Sequence, residues 1–204
     1  MPINLPRKHL GIFPTPLEPM PHFSAWLGGP QIWVKRDDHT GLAFGGNKTR
    51  KLEYLIAEAE SHGAGMVLTR GAIQSNHCRQ TAAAAARSQL ACRLVLTGHP
   101  PQDTTGNTLL DHLVGAEIIW SEDDDPQDRL DQAFQEAWEA GARPYLIPYG
   151  GSSPLGVVGY VDAMRELAQQ DLSFDRMILA SSSGGTQAGL LVGAQSVNYQ
   201  GQIS

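Results

Sequence analysis

Strand-length apolar runs alternate with helix-length segments along most of this chain, and that alternation restricts it to an α/β architecture. GMVLTRG (Gly65–Gly71), ACRLVLTG (Ala91–Gly98), AEIIWS (116–121), PYLIP (144–148) and DRMILASS (Asp175–Ser182) read as strands, and QIWVKRD (Gln31–Asp37) as an earlier short one. Helical patterns cover Lys48–His62, Ser75–Gln89, Asn107–Val114, Asp128–Ala140, Leu155–Gln170 and Gly185–Ala194. Crossovers of helical length join strands that run in the same direction, so a parallel sheet is expected. Residues 1–30 are proline-rich and read as irregular, with one short helix near His22–Leu27. No internal repeat or low-complexity tract is present.

Composition removes several function classes. The net charge of −6 argues against general nucleic-acid binding, which requires a basic face. Cys78 and Cys92 are the only cysteines and form no CxxC, so the chain is not a disulfide scaffold and a reducing cytosol is expected. The N-terminal MPINLPRKHLGIFPTPLEPM has five prolines and no apolar core of a signal peptide. No run approaches the roughly 18 apolar residues of a membrane span. The expectation is a soluble, cytoplasmic protein. The seven histidines show no HxH or HExxH spacing, which argues against zinc. The acidic run Glu122–Asp125 reads as a solvated loop.

In parallel α/β folds ligands bind beyond the carboxyl ends of the strands, where loops meet helix N-termini. Three such loops stand out. In FGGNKTRKLEYL (Phe44–Leu55), Lys48 sits at a helix N-terminus, where the dipole disfavours a cation. It continues the apolar stripe Leu52, Leu55, Ile56, Ala59, so its side chain is expected to point inward, with Lys51 flanking the stripe and Arg50 facing away. An inward lysine at the positive end of a helix has a depressed pKa, as a nucleophilic amine that forms a Schiff base requires. The alternative is a snorkelling lysine at the edge of the core. Only four lysines are present, and Lys8 and Lys35 occupy less suitable positions.

The second loop, GAIQSNHCRQTAAAAA, ends a strand at Gly71 and places Ser75 or Asn76 at a helix cap, whose free N–H groups suit a carboxylate. Both residues also fit as ordinary caps; Cys78 reads as a small buried residue, and His77 has a weak case as a functional group. The third, ASSSGGTQAGLLVG, offers glycines, backbone N–H groups and the hydroxyls of Ser183 and Thr186. It fits a phosphate, or a simple tight turn, and matches neither a Walker A loop nor GxGxxG. An inward lysine, an anion-binding asparagine loop and a phosphate cup together suit pyridoxal 5'-phosphate.

GLAFGGNKTRKLEYL, GAIQSNHCRQTAAAAA, YGGSSPLGVVGY and SSSGGTQAGL resemble the D-cysteine desulfhydrase and 1-aminocyclopropane-1-carboxylate (ACC) deaminase family of fold-type-II, tryptophan-synthase-β-like enzymes. The resemblance runs from about Leu10 to about Ala194. It implies a small α/β domain over 48–161 inserted in a large cofactor-binding domain made of 1–47 and 162–204. It implies that Lys48 carries the cofactor and serves as base at the substrate Cα, that Asn76 meets the cofactor's 3′-oxygen, and that Ser183, Gly184, Gly185 and Thr186 hold the phosphate. Ser75, with Asn76 and His77, would face the substrate, Ser75 near its carboxylate and, in deaminase-like members, near the reacting carbon. The implied reaction is α,β-elimination on a small D-amino acid such as D-cysteine, by a homodimer in the full-length form. ACC ring opening, elimination from cysteate and non-catalytic cofactor binding are the alternatives; Gln187 leans slightly toward the deaminase pattern. Family members are longer, and this chain is expected to be a fragment or early-terminated product. The partner of the pyridine nitrogen and a C-terminal tyrosine near the substrate are therefore expected outside this sequence.

Overall fold

The computed structural model describes residues 5–170 and 174–204. Residues 1–4 of the proline-rich segment and 171–173, which follow the predicted helix Leu155–Gln170, lie outside them. The chain runs β1 (Leu17–Pro19), α1 (Pro21–Leu27), β2 (Trp33–Lys35), α2 (Lys48–Ser61), β3 (Met66–Gly71), α3 (Asn76–Arg87), β4 (Ala91–Leu96) and α4 (Gly106–Leu113). It continues with β5 (Glu117–Trp120), α5 (Pro126–Glu139), β6 (Pro144–Leu146), α6 (Val158–Gln169), β7 (Arg176–Met177), α7 (Gly185–Ser196) and β8 (Gln202–Ile203). No described helix is long and apolar enough to cross a membrane.

The predicted parallel sheet is present: four strands in the order β5-β4-β3-β6, every neighbouring pair parallel. Its side chains alternate between two cores, as period-2 pleating requires. Val67, Cys92, Leu94 and Leu96 meet α2 and α3 through Leu52, Leu55, Ile56, Ala82 and Ala85. Leu68 and Val95 meet α5 through Leu130 and Ala133. Each fully enclosed leucine contributes roughly 1.5–3 kcal/mol. The alanines of α3 let that helix lie close to the sheet. Asp125, the last residue of the acidic run, caps α5 by accepting from Gln127 N at 2.7 Å, ahead of Pro126 at the first helical position.

Several predicted elements change. The N-terminal segment is not wholly irregular: β1 pairs antiparallel with β2, which shrinks from the predicted Gln31–Asp37 to three residues. The predicted strand Asp175–Ser182 keeps two paired residues, Arg176 and Met177, because their parallel partner is the short β8, which no periodicity revealed. The predicted helix at Leu155 begins at Val158, since Ser153–Gly156 first form a turn closed by Gly156 N on Ser153 Oγ.

The largest correction concerns α2. It is enclosed on all sides, with every residue from Thr49 to Ala57 buried, so an apolar stripe does not describe it. Arg50, expected to face outward, is 2% exposed, and Lys51 is 0% exposed. Gly159 of α6 makes this close packing possible: a Cβ there would stand 2.2 Å from the Arg50 carbonyl oxygen.

Arg50 survives burial because its fork is saturated. Nε and Nη2 donate to the two Asp37 carboxylate oxygens at 2.9 and 2.8 Å. Nη1 and Nη2 donate to the Glu166 oxygens at 2.9 and 3.0 Å. The Phe13 ring lies 4.5 Å from the guanidinium carbon. This cluster ties the N-terminal segment, α2 and α6 together just behind Lys48.

Candidate active site

The strand order locates the site. From β3 the chain steps one way to β4 and β5, then returns to the opposite side of β3 as β6, so direction reverses between β3 and β6. Ligands of open α/β sheets bind beyond the carboxyl ends at such a reversal. β3 leads into Ala72–Asn76, and β6 leads into a 3-10 turn, Tyr149–Gly151, followed by Ser152. The N-terminus of α2, with Lys48, stands beside both.

The lysine and the glycine-rich loop, far apart in sequence, are neighbours. Gly150, with φ of 64°, lies between them: a Cβ on it would sit 2.8 Å from Ser183 Oγ and 3.6 Å from Lys48 Nζ. Ser183 Oγ is 2.7 Å from Ser152 Oγ. A Cβ on Gly185 would fall 2.4 Å from Ser152 Oγ and 3.0 Å from Lys51 Nζ. These glycines leave a cradle lined by two amines, two hydroxyls and the start of α7. Gly184, at φ 75°, turns the chain into α7, whose first intrahelical bond is Ala188 N to Gly184 O. The N–H groups of Gly185, Thr186 and Gln187 therefore precede any helical acceptor.

Both amines are perturbed. Burial lowers the Lys48 pKa from its ordinary value. Burial, with the Lys48 charge, lowers Lys51 to about 8; its Nζ donates to Gly150 O at 3.3 Å and Ser152 Oγ at 3.2 Å. Two amines facing a helix N-terminus form a site of one sign, which an anion such as a phosphate balances. The amine, hydroxyl and N–H donors fit an aldehyde-bearing phosphate.

Asn76 opens α3 beside this cradle and donates from Nδ2 to Asn47 Oδ1 at 3.0 Å, one residue before Lys48. Ser75 is the N-cap of α3, its hydroxyl accepting from Cys78 N at 3.2 Å. His77 is set apart from this open face. It is 3% exposed, with Nε2 2.9 Å from Thr69 Oγ1 and Nδ1 buried without a partner. Burial, reinforced by the two lysine charges, drops its pKa to about 3 and keeps the ring neutral. Cys78 is fully buried, and burial pushes its thiol up to about 12, which suits packing and not nucleophilic attack.

The structure thus gathers Lys48, Ser183 and Gly185 in one cradle, places Asn76 against the segment carrying Lys48, and encloses His77. It adds Lys51, Gly150, Ser152 and Asn47, which the sequence reading did not assign to a site. Lys51 lies three residues after Lys48, a spacing that puts the two on one helix face. The GGSS turn follows a strand, where the carboxyl-end rule applies as it did to the other loops.

The family model described as pyridoxal-phosphate dependent enzyme matches residues 8–203. The chain is 44% identical over 209 residues to D-cysteine desulfhydrase of Klebsiella pneumoniae (strain 342), spanning 98% of this chain and 63% of that protein. It superposes on a crystal structure of an ACC deaminase homologue with a TM-score of 0.90 at 41% identity, covering 96% of this chain and 60% of the other. A pyridoxal 5'-phosphate-dependent aspartate racemase, at 22% identity and a TM-score of 0.73, covers 93% of this chain and 56% of its own and shares the fold.

Proposed function

Because the chain belongs to the pyridoxal-phosphate dependent enzyme family, we propose that its site serves α,β-elimination on a small D-amino acid. On this reading D-cysteine and water yield pyruvate, sulfide and ammonia. The observation that carries the reading is the half-buried Lys48 amine, set across Gly150 from the Ser183 loop. The choice of substrate leans on the 44% identity to D-cysteine desulfhydrase.

When bound, the cofactor supplies an electron sink for the pair left at the substrate Cα. The residues of this chain bind and orient. Lys48 would hold the cofactor through its amine, and that amine would serve as the base for the substrate Cα proton. Ser183, Gly184, Gly185 and Thr186 would hold the phosphate through N–H groups and hydroxyls, with the Lys51 amine beside Gly185 and Ser152 adding positive charge to the cradle. Asn76 would donate to the cofactor's ring oxygen. Ser75 and the N–H groups at the start of α3 receive the substrate carboxylate. Partial burial lowers the Lys48 pKa, the direction that favours an amine acting as nucleophile and base.

ACC ring opening to 2-oxobutanoate and ammonia is the second reading, favoured by the 41% identity to an ACC deaminase homologue. The test is to add the cofactor to the purified chain, record the visible spectrum before and after borohydride, and assay sulfide and pyruvate from D-cysteine against 2-oxobutanoate from ACC. A yellow, reducible protein whose label disappears in Lys48→Ala is expected. Unchanged colour and labelling in that variant refute the assignment of Lys48. Cofactor uptake with no 2-oxo acid released from D-cysteine, ACC, cysteate or any other amino acid favours a binding protein instead.

A further inference from the structure

Asn47 occupies the N-cap of α2, a position where asparagine normally turns its side-chain oxygen onto the helix's own N–H groups. Here it does not: its backbone is already helical, at φ −62° and ψ −18°, and its side chain makes no capping bond. The carboxamide oxygen instead accepts from Asn76 Nδ2 at 3.0 Å, across the gap between α2 and α3. The backbone carbonyl of the same residue is approached by the Tyr160 hydroxyl at 3.2 Å, which also lies 2.9 Å from Asp37 Oδ2. Asp37 belongs to the Arg50 cluster. Asn47 is therefore held from behind by α6 and in turn holds a side chain of α3.

An asparagine amide offers two N–H donors at one end and an acceptor at the other, and its flip decides which end a neighbour meets. We propose that Asn47 is a positioning residue whose oxygen fixes the flip of Asn76, so that Asn76 presents its second N–H, and not its oxygen, to the cofactor's ring oxygen. This rests on the reading of the site as a cofactor site. A flipped Asn76 would set its oxygen against an electron-rich ring oxygen, repelling it. Asn47 shares the peptide bond with Lys48, so one tether sets both the lysine and the amide.

The test compares Asn47→Ser and Asn47→Asp. Serine is a good N-cap and keeps α2, but is too short to reach Asn76 as asparagine does. Aspartate can only accept, so it forces Asn76 to turn its Nδ2 toward it. In absorbance titrations Asn47→Ser should bind the cofactor about tenfold more weakly, the loss expected for one well-placed hydrogen bond. Its visible band should move, while its melting temperature without cofactor stays at the wild-type value. Asn47→Asp should recover affinity to within about threefold of wild type. Wild-type affinity and spectrum in Asn47→Ser would overturn the proposal, as would an Asn47→Asp variant as weak as the serine one. Failure of the wild type to take up cofactor through Lys48 would overturn the site reading itself, a different result from either.

Discussion

Replacing Arg50 by methionine should destabilise the chain by about 3–5 kcal/mol at pH 7, the usual penalty for removing one partner from a buried ion cluster. Methionine preserves much of the apolar stem but leaves Asp37 and Glu166, whose side chains are 17% and 13% exposed, facing each other without their shared cation. The structure also fixes how that penalty varies with pH. Burial pushes the Glu166 carboxyl up, and hydrogen bonds and charges from Arg50 and Lys35 outweigh it, leaving the pKa at about 2 against an ordinary 4.5. At about 1.4 kcal/mol per unit, that depression contributes about 3 kcal/mol. A depressed carboxyl stabilises above its unfolded pKa, and the contribution is lost as pH falls from about 4.5 toward 2. Without Arg50 much of the depression disappears, so the gap between wild type and variant should hold from pH 7 down to about pH 5 and narrow as pH falls from about 4.5 toward 2. Urea unfolding followed by circular dichroism at several pH values measures it, with Arg50→Met/Glu166→Gln as partner in a double-mutant cycle. A gap below about 1 kcal/mol at pH 7, or one that does not shrink in acid, would refute the reasoning.

Three further outcomes follow from buried groups. Asp111 is fully buried with neither carboxyl oxygen hydrogen-bonded, and burial, opposed by the Arg79 charge, raises its pKa to about 7. A raised carboxyl favours folding below its unfolded pKa and loses that contribution as pH rises through the folded one. Asp111→Asn should therefore stabilise the chain by about 2–3 kcal/mol at pH 8 and by little at pH 4, in thermal melts at the two pH values. His77, held neutral with its pKa near 3, stabilises above the ordinary 6.5 and loses that contribution as pH falls. His77→Gln should flatten the acid limb of the stability curve between pH 6 and pH 4, measured by denaturant titration. Gly159→Ala, which drives a Cβ to 2.2 Å from the Arg50 carbonyl, should force α6 off α2 and cost at least about 2 kcal/mol in urea unfolding.

The local record in the sequence is reliable where one physical cause dominates. β3 and β4 are apolar runs that each close on a glycine, Gly71 and Gly98, and the structure pairs both in the predicted parallel sheet. The amphipathic α5, capped by Asp125 and started by Pro126, also lies close to where its periodicity places it. The reading weakens where a long-range partner decides the outcome. β1 exists because β2 pairs with it, and β7 ends where β8 ends. α2 shows the limit most clearly. Periodicity can report which face is apolar, but not that the polar faces are also covered. Arg50 and Lys51 are charged, so a stripe argument turns Arg50 away and leaves Lys51 at the stripe's flank. In the structure carboxylates, serine and carbonyl oxygens supplied by other segments receive them inside.

The sequence alone determines the chemistry available at each loop: an amine at the start of α2, an asparagine and serine at the start of α3, glycines and hydroxyls before α7. Those features are local, set by which residue follows a strand and opens a helix. Tertiary structure alone decides how closely those loops meet, that Lys51 and Ser152 join them, and that His77 is shut away. The physical reason is the reversal of strand order between β3 and β6. It brings residues about a hundred positions apart within a few ångströms around Gly150, a juxtaposition that no spacing along the chain records.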